Sequence, residues 1–311
     1  NAEGTISQCA CGGKAEGVGD HVCKNLIWLP WEKTDTLPTT AGNYYLTAPV
    51  TTKVVYIYQS NQQFRLDLHG QTVTVKAGER GFRLTDTASG TELSITDSVG
   101  GGQIRPEQQS SISAHGSVIW LQNASGNPMT LNIYAGVIDG GNIPNSGNGM
   151  INLPANSICN IYGGTVKNGK SVNGGNVYTA GTVKMYGGSI ENGTATTGGG
   201  NIAISATGHW YLHGGTVSGG TGIPNWGGNV LLQGNMTMSA GHITNGKING
   251  DVDLRANICL NGSGTLHMSG GTIDGQVCSF NSDNTRVNLS GKAVIWNPDG
   301  KNHLSVFEAG K

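Results

Sequence analysis

Short stretches of alternating apolar and polar residues recur along the chain, each closed by two small residues and followed by a β-branched residue. The clearest unit reads Asn-Ile-Tyr-Gly-Gly-Thr-Val, at residues 160–166. Alternation with a period of two is typical of β-strands, and the glycine pairs mark turns. Related units occupy residues 132–138, 184–190, 211–217, 237–243 and 267–273. The apolar residues just before these turns are predicted to point inward, and they are Ile133, Ile161, Met185, Leu212, Met238 and Met268.

A second, shorter unit follows each copy of the first and pairs a glycine with an asparagine before a β-branched residue. Identical amides at equivalent turns of a solenoid can hydrogen-bond from coil to coil, so these asparagines are predicted to form a structural column. Asp251 and Gln276 take the equivalent place in two variant copies. The predicted column consists of Asn142, Asn176, Asn201 and Asn229.

Two strands per repeat of about 25 residues predict an all-β solenoid in which each coil adds one strand to each of two or three parallel sheets. We therefore expect a single right-handed parallel β-helix over residues 40–311, with coils of about 20–30 residues that are most regular over residues 120–300. Residues 1–39 are predicted to form a short N-terminal Cys/His knuckle and an apolar cap.

Composition excludes several classes of protein. The chain has 52 glycines but only 9 prolines, and the glycines occur in pairs, unlike the strict triplet of collagen. Hydrophobic residues make up 36% of the chain, enough to form a core. A formal net charge of −1 gives no basic surface for nucleic acid. Because no run approaches the length of about 18 apolar residues that a membrane span needs, membrane insertion is not expected.

Four residues near the N-terminus have the character of a metal site. Cys9 and Cys11 form one dyad, and His21 and Cys23 form another, in a glycine-rich segment with little apolar content. Three thiolates and one imidazole suit a tetrahedral structural zinc. One disulfide with a free cysteine remains the alternative, since secreted proteins form disulfides.

The other three cysteines carry weaker signals. Cys159 falls on the inward phase of its strand and is predicted to be a core residue. Cys259 and Cys278 could pair only if they face each other across a turn, and the sequence leaves this open.

Alignment of the first unit predicts an outward column of rings at Tyr134, Tyr162, Tyr186 and His213, with Tyr211 beside it. Stacked aromatic faces at a coil spacing of ~4.8 Å could bind sugar rings or a partner protein. The same column could equally be a ladder that only stabilises the sheet.

The best candidates for catalysis are Asp251, Asp253 and Arg255, which alternate on one face of a strand. Such carboxylates could serve a glycoside hydrolase or hold calcium for a polysaccharide lyase. Carboxylates do not recur at this place in neighbouring coils, and this favours a protein that is not an enzyme.

The segment Leu66-Asp67-Leu68-His69-Gly70-Gln71-Thr72-Val73 resembles a strand found in many glycine-rich right-handed parallel β-helix proteins on the surfaces of Gram-positive anaerobic bacteria. Residues 37–47 are similar to the same group. The resemblance covers nearly the whole chain, but it concerns architecture and not activity. It implies secretion and display on a bacterial surface, and it implies no particular reaction.

The two ends of a solenoid expose its core unless something covers them. Residues 26–31 form an apolar run that would make a cap, or alternatively a partner-binding patch. The C-terminal segment has no obvious polar cap, which suggests end-to-end stacking of copies or a fragment of a larger protein. Our first hypothesis is a non-catalytic extracellular structural or adhesive protein, displayed on a bacterial surface or assembled into a fibre, that contacts host or cell-surface glycans. The alternative is a carbohydrate-active enzyme on the same fold.

Overall fold

The computed structural model describes residues 4–108, 118–122, 125–144, 147–223, 226–249, 256–280, 284–296 and 304–307. This part of the chain is built from β-strands and turns. It contains no helix long and apolar enough to cross a membrane. The candidates Asp251, Asp253 and Arg255 lie outside the described residues.

The strands form three long sheets of 12, 10 and 10 strands and one short sheet of 4 strands. Sheet 1 contains Ile6–Cys9, Asn25–Trp31, Gly42–Leu46, Gln63–Asp67, Glu92–Thr96, Met129–Ile133, Ser157–Ile161, Thr182–Met185, His209–Leu212, Asn235–Met238, Thr265–Met268 and Arg286–Leu289. Sheet 2 contains Val50–Thr52, Thr72–Val75, Gln103–Pro106, Val137–Asp139, Thr165–Lys167, Ser189–Glu191, Thr216–Ser218, His242–Thr244, Thr272–Asp274 and Val294–Trp296. Sheet 3 contains Val55–Ile57, Phe82–Leu84, Ile119–Leu121, Ile151–Leu153, Val177–Thr179, Ile202–Ile204, Val230–Leu232, Ala256–Asn261, Gln276–Phe280 and Leu304–Phe307. Sheet 4 contains Lys170–Ser171, Thr194–Ala195, Thr221–Gly222 and Lys247–Ile248.

Each coil contributes one strand to each long sheet, and neighbouring coils pair in parallel. The coil from Ile161 to its partner Met185 is 24 residues long, and the coil from Met238 to Met268 is 30 residues long. These lengths confirm the predicted parallel β-solenoid. Among the described strands the first pair is antiparallel, because Ile6–Cys9 runs back along Asn25–Trp31. Strand Asn25–Trp31 itself pairs in parallel with Gly42–Leu46, so sheet 1 begins before residue 40.

The core is a continuous apolar column inside the three sheets. The six residues predicted to point inward are all at most 1% exposed, which confirms the predicted alternation. Cys159 is a core residue, as predicted, and burial raises the pKa of its thiol to about 12. Val73, Ile104 and Ile138 extend the core along sheet 2.

The second glycine of each pair is required by the turn between sheets 1 and 2. At Gly188 the backbone has φ of +77°, and an added Cβ would lie 2.4 Å from the carbonyl oxygen of Gly164 in the preceding coil. A side chain there would therefore be strained by its backbone conformation and would also clash with the next coil. This explains why the pattern repeats glycine at this place.

A buried asparagine ladder connects the coils where sheet 3 begins. Asn176, Asn201 and Asn229 belong to it as predicted, and each donates from Nδ2 to Oδ1 of the next member. The fourth member is Asn257, with a distance of 2.5 Å from Asn229 Nδ2 to Asn257 Oδ1. Each Oδ1 also accepts a backbone N–H from its own coil, at Gly169, Gly193, Gly220 or Gly246.

The prediction that Asn142 begins this ladder was wrong. Asn142 is exposed and has φ of +56°, in a turn just after strand Val137–Asp139. Met150 takes the ladder position in that coil, because Ile151 pairs with Val177 and Met150 N donates to Gly175 O. The interpretation of Asp251 as a ladder variant was also wrong, because Asn257 precedes the Ile258 that pairs with Val230.

The two ends of the described solenoid differ. At the N-terminal end Trp31 and Leu37 pack on the core, and Trp31 Nε1 donates to Thr36 O at 2.8 Å. At the other end Leu289 continues the inward column beyond Met268, yet it is 48% exposed. Trp296, in the last described strand of sheet 2, is 54% exposed.

The core contains one polar atom whose removal should be tolerated. Trp210 is 1% exposed, and its Nε1 has no hydrogen-bond partner within the described part of the chain. Trp210→Phe removes that N–H with a modest loss of volume, so we expect the free energy of unfolding to change by less than ~1.5 kcal/mol. Trp210→Ala should cost ~3–5 kcal/mol. Urea denaturation of both variants measures the difference, and a similar loss in both would contradict the prediction.

Candidate metal centre and aromatic column

The four predicted ligands come together at the tip of the N-terminal arm, defined as residues 4–23. Cys9 Sγ lies 3.3 Å from His21 Nε2, and Cys11 Sγ lies 3.3 Å from Cys9 Sγ and 3.6 Å from Cys23 Sγ. All four candidate ligand atoms lie within 4.8 Å of one another. This cluster could hold a metal ion.

The distances suit tetrahedral coordination. Metal–sulfur bonds of ~2.3 Å place the sulfurs of a tetrahedral zinc site about 3.8 Å apart, close to the separations of Cys11 from its two neighbours. Burial lowers the pKa of His21, against the opposing charges of Glu16 and Glu92, and this favours the neutral imidazole that coordinates metals.

The alternative of a disulfide is also realised by this geometry. The structure joins Cys9 to Cys23, whose Cα atoms are 5.3 Å apart, and Cys11 is then a buried free thiol. A metal with all four ligands needs the sulfurs of Cys9 and Cys23 separated, so the disulfide and the four-ligand site exclude each other. Both predicted forms of the knuckle are therefore compatible with the fold.

The arm lies over the outer face of sheet 1 and is held at several successive coils. Gln8 Nε2 donates to Asp67 Oδ2 at 2.6 Å, and Thr96 Oγ1 donates to the carbonyl oxygen of Cys11 at 2.7 Å. Tyr45 donates from its hydroxyl to the carbonyl oxygen of Gly4. The cluster is thus fixed to the solenoid by groups from strands that the sequence analysis did not associate with it.

The aromatic column is present, and its rings stack from coil to coil. Tyr134 and Tyr162 have centroids 4.9 Å apart, Tyr162 and Tyr186 5.2 Å, and Tyr186 and His213 5.3 Å. Tyr211, on the neighbouring outward position, stacks on His213 with centroids 6.2 Å apart.

The N-terminal arm covers the beginning of this column. His21 contacts Tyr134 and Tyr162 with centroid distances of 4.8 and 5.5 Å, and Tyr134 is only 5% exposed. Burial raises the pKa of Tyr162 to about 12. Gly19 lies so close to the ring of Tyr186 that a Cβ there would be 2.6 Å from it.

The covered and accessible parts of the column meet at Tyr186. Its hydroxyl donates to Asp20 Oδ2 at 3.2 Å, and Lys184 Nζ lies 3.8 Å from the same oxygen. Beyond this point Tyr211 is half-buried and His213 is exposed. The predicted ligand-binding residues therefore form a covered part, Tyr134 and Tyr162, and an accessible part that begins at Tyr186.

The buried carboxylates on the outer face of sheet 1 and the turn after it serve the backbone. Asp67 accepts hydrogen bonds from the N–H groups of His69 and Ser98 at 2.9 Å. Asp97 accepts from Gly70 N at 2.8 Å and Gly102 N at 2.7 Å. These bonds connect successive coils and stabilise the turns.

Ser98, His69 and Asp67 meet, but not as a nucleophilic triad. Ser98 Oγ donates to Asp67 Oδ2 at 2.6 Å and lies 3.1 Å from His69 Nδ1, while the same Nδ1 lies 3.6 Å from Asp67. A triad needs one imidazole nitrogen for the serine and the other for the aspartate. This cluster therefore supports the turn and does not activate the serine.

Comparisons with known proteins add no name to this fold. No protein-family model matches the chain, no curated protein matches it, and no solved structure matches it.

Proposed function

We propose that this chain is a non-catalytic extracellular β-solenoid that is displayed on a bacterial surface and contacts glycans through the accessible part of its aromatic column. The observation that carries the proposal is the continuation of the stacked column beyond the arm, at Tyr186, Tyr211 and His213. Aromatic faces with polar edges bind the apolar faces of sugar rings. The location rests on the sequence resemblance to surface β-helix proteins.

The non-catalytic part of the proposal is supported by the use of charge on the described coils. The carboxylates of Asp67 and Asp97 are buried and accept backbone N–H groups. On sheet 2 the outward charges alternate along one column, where Asp139 pairs with Lys167 at 3.7 Å and Lys167 is followed by Glu191. Alternating signs suit a solvated surface better than a pair of cooperating acids.

The arm is proposed to be held by a structural zinc at Cys9, Cys11, His21 and Cys23. Three sulfurs and an imidazole nitrogen converge, whereas a disulfide needs only two of these groups. A zinc site with four protein ligands is closed and serves folding, not catalysis. We assign it the role of fixing the arm over Tyr134 and Tyr162.

A glycan array tests the binding role. Tyr211→Ala should weaken binding of the recognised glycan about tenfold, because a stacking contact of ~1.4 kcal/mol is lost. Thr237→Ala is the matched control, since Thr237 pairs with Tyr211 in the next coil and carries no ring. Equal binding by wild type and Tyr211→Ala would contradict the assignment.

Two further readouts of the same protein separate the remaining hypotheses. Rods that join end to end in negative-stain micrographs would assign the fibre form, and separate rods the displayed form. Cleavage of a polysaccharide by the purified protein, lost in Asp251→Ala or Asp253→Ala, would replace the proposal with the carbohydrate-active enzyme.

A further inference from the structure

The outer face of sheet 3 carries a mixed aromatic and cationic surface that is separate from the aromatic column of sheet 1. The middle residues of three successive strands, Tyr56, Arg83 and Trp120, pair in register. The register continues to Asn152 and then Tyr178. Outward side chains therefore alternate between ring and polar group along the solenoid axis, at a coil spacing of ~4.8 Å.

The guanidinium of Arg83 is held between two rings. Its Cζ lies 4.6 Å from the centroid of Trp120 and 5.6 Å from that of Tyr56. Both Nε and Nη2 donate to Gln122 Oε1, at 3.1 and 2.8 Å, which fixes the plane of the group. This preorganisation lowers the entropy lost when a ligand forms hydrogen bonds to it.

The positive charge of this surface is concentrated. The Cζ atom of Arg80 also lies 4.6 Å from the centroid of Trp120, so two guanidinium groups contact one indole. Burial lowers the pKa of Arg80, and the neighbouring charge of Arg83 lowers it further. Within the described part of the chain, Arg83 forms no ion pair, since Gln122 is a neutral partner. An anion placed here would relieve the repulsion between the two cations.

The rings at the edge of this surface are open to solvent. Tyr58 is 59% exposed and Tyr56 is 36% exposed. They stack with centroids 5.7 Å apart and an angle of 14° between their planes. Exposed flat rings beside a fixed guanidinium suit a ligand that has both an apolar ring face and a planar anion.

We propose that Tyr56, Tyr58, Arg83 and Trp120, together with Arg80, bind a polysaccharide that carries carboxylate groups. Its sugar faces stack on the rings, and a uronic-acid carboxylate accepts hydrogen bonds from the guanidinium groups. The extended column suits a chain of sugars, because successive coils present equivalent positions along one line. The net charge of −1 for the whole protein argues against a broad polyanion-binding surface.

Isothermal titration calorimetry with tetragalacturonate, and with the same tetramer after methyl esterification of its carboxylates, tests this inference. The acid form should bind saturably and the ester at least about tenfold more weakly, because a charge-assisted hydrogen bond is lost. Arg83→Gln should weaken binding of the acid form to a similar extent. Tyr58→Ala, which removes a largely exposed ring and so leaves the core intact, should weaken it severalfold.

Arg105→Gln is the matched control, because Arg105 is exposed on the outer face of sheet 2 and its loss changes the net charge equally. It should leave the affinity unchanged. The inference is overturned by absence of saturable binding, by equal affinity for the ester, by an equal effect of Arg105→Gln, or by equally tight binding of a single-stranded oligonucleotide of the same charge. Tyr211→Ala should not affect this binding, so failure here is distinguishable from failure of the proposed function.

Discussion

Asn201→Ala should lower the free energy of unfolding by about 4 kcal/mol or more, because four buried partners lose their bonds together. Oδ1 of Asn201 accepts from Asn176 Nδ2 and from Gly193 N, each at 2.8 Å. Its Nδ2 donates to Ser218 O at 2.8 Å and to Asn229 Oδ1 at 2.7 Å. Asn201 is 0% exposed, so water cannot replace these bonds without opening the coil.

Urea denaturation followed by circular dichroism measures this loss. Asn160→Ala is the matched control, because Asn160 is half-buried on the outer face of sheet 1 and donates to Asn132 Oδ1 at 2.9 Å. It should cost less than about 1 kcal/mol. Asn201→Asp keeps the size of the side chain but loses both donors, so it should also be strongly destabilising. Equal losses for Asn201→Ala and Asn160→Ala would show that the ladder does not have this role.

The fold could be predicted from the sequence because each coil repeats the same local requirements. Inward apolar residues such as Ile161 and Met185 occur at a fixed distance from a turn glycine, and the turn needs that glycine whatever lies elsewhere. The error at Asn142 has a physical reason. A Gly-Asn-Ile tripeptide is compatible both with the ladder and with a left-handed turn, and only the pairing of Ile151 with Val177 decides between them.

Asn257 was missed for the complementary reason. It follows Ala256, not glycine, so the tripeptide pattern passes over it, although the strand after it pairs in register with Val230–Leu232. The pattern of the strand itself, with Ile258 and Leu260 pointing inward, was the signal that would have found it.

The candidate metal centre was predictable because its ligands are close in sequence and chemically distinctive. The position of the arm was not, because it depends on contacts such as that between Asp20 and Tyr186, which are 166 residues apart. No local pattern encodes such a contact. The surface around Arg83 and Trp120 was missed because its coils are irregular in length, yet both occupy the middle position of a three-residue strand.

Loss of metal should release the N-terminal arm while the solenoid remains folded. In hydrogen exchange, the amides of residues 4–23 should lose protection by about three orders of magnitude or more in Cys11→Ser, since binding of a structural zinc supplies most of the folding free energy of a small knuckle. Amides of the inner strands, such as that of Val183, should keep theirs. Tyr134, now 5% exposed, should become accessible.

Metal analysis and thiol titration decide between zinc and disulfide in the same protein. Wild type should contain one zinc per chain, Cys11→Ser should contain none, and Cys159→Ala is the control because Cys159 lies in the core, away from the cluster. After denaturation in chelator without reductant, the zinc form should give all 6 cysteines as free thiols. The disulfide form should instead give four free thiols, those of Cys11, Cys159, Cys259 and Cys278. In that case reductant, and not chelator, should release the arm, and the proposed zinc would be wrong although the arm would still be held over the column.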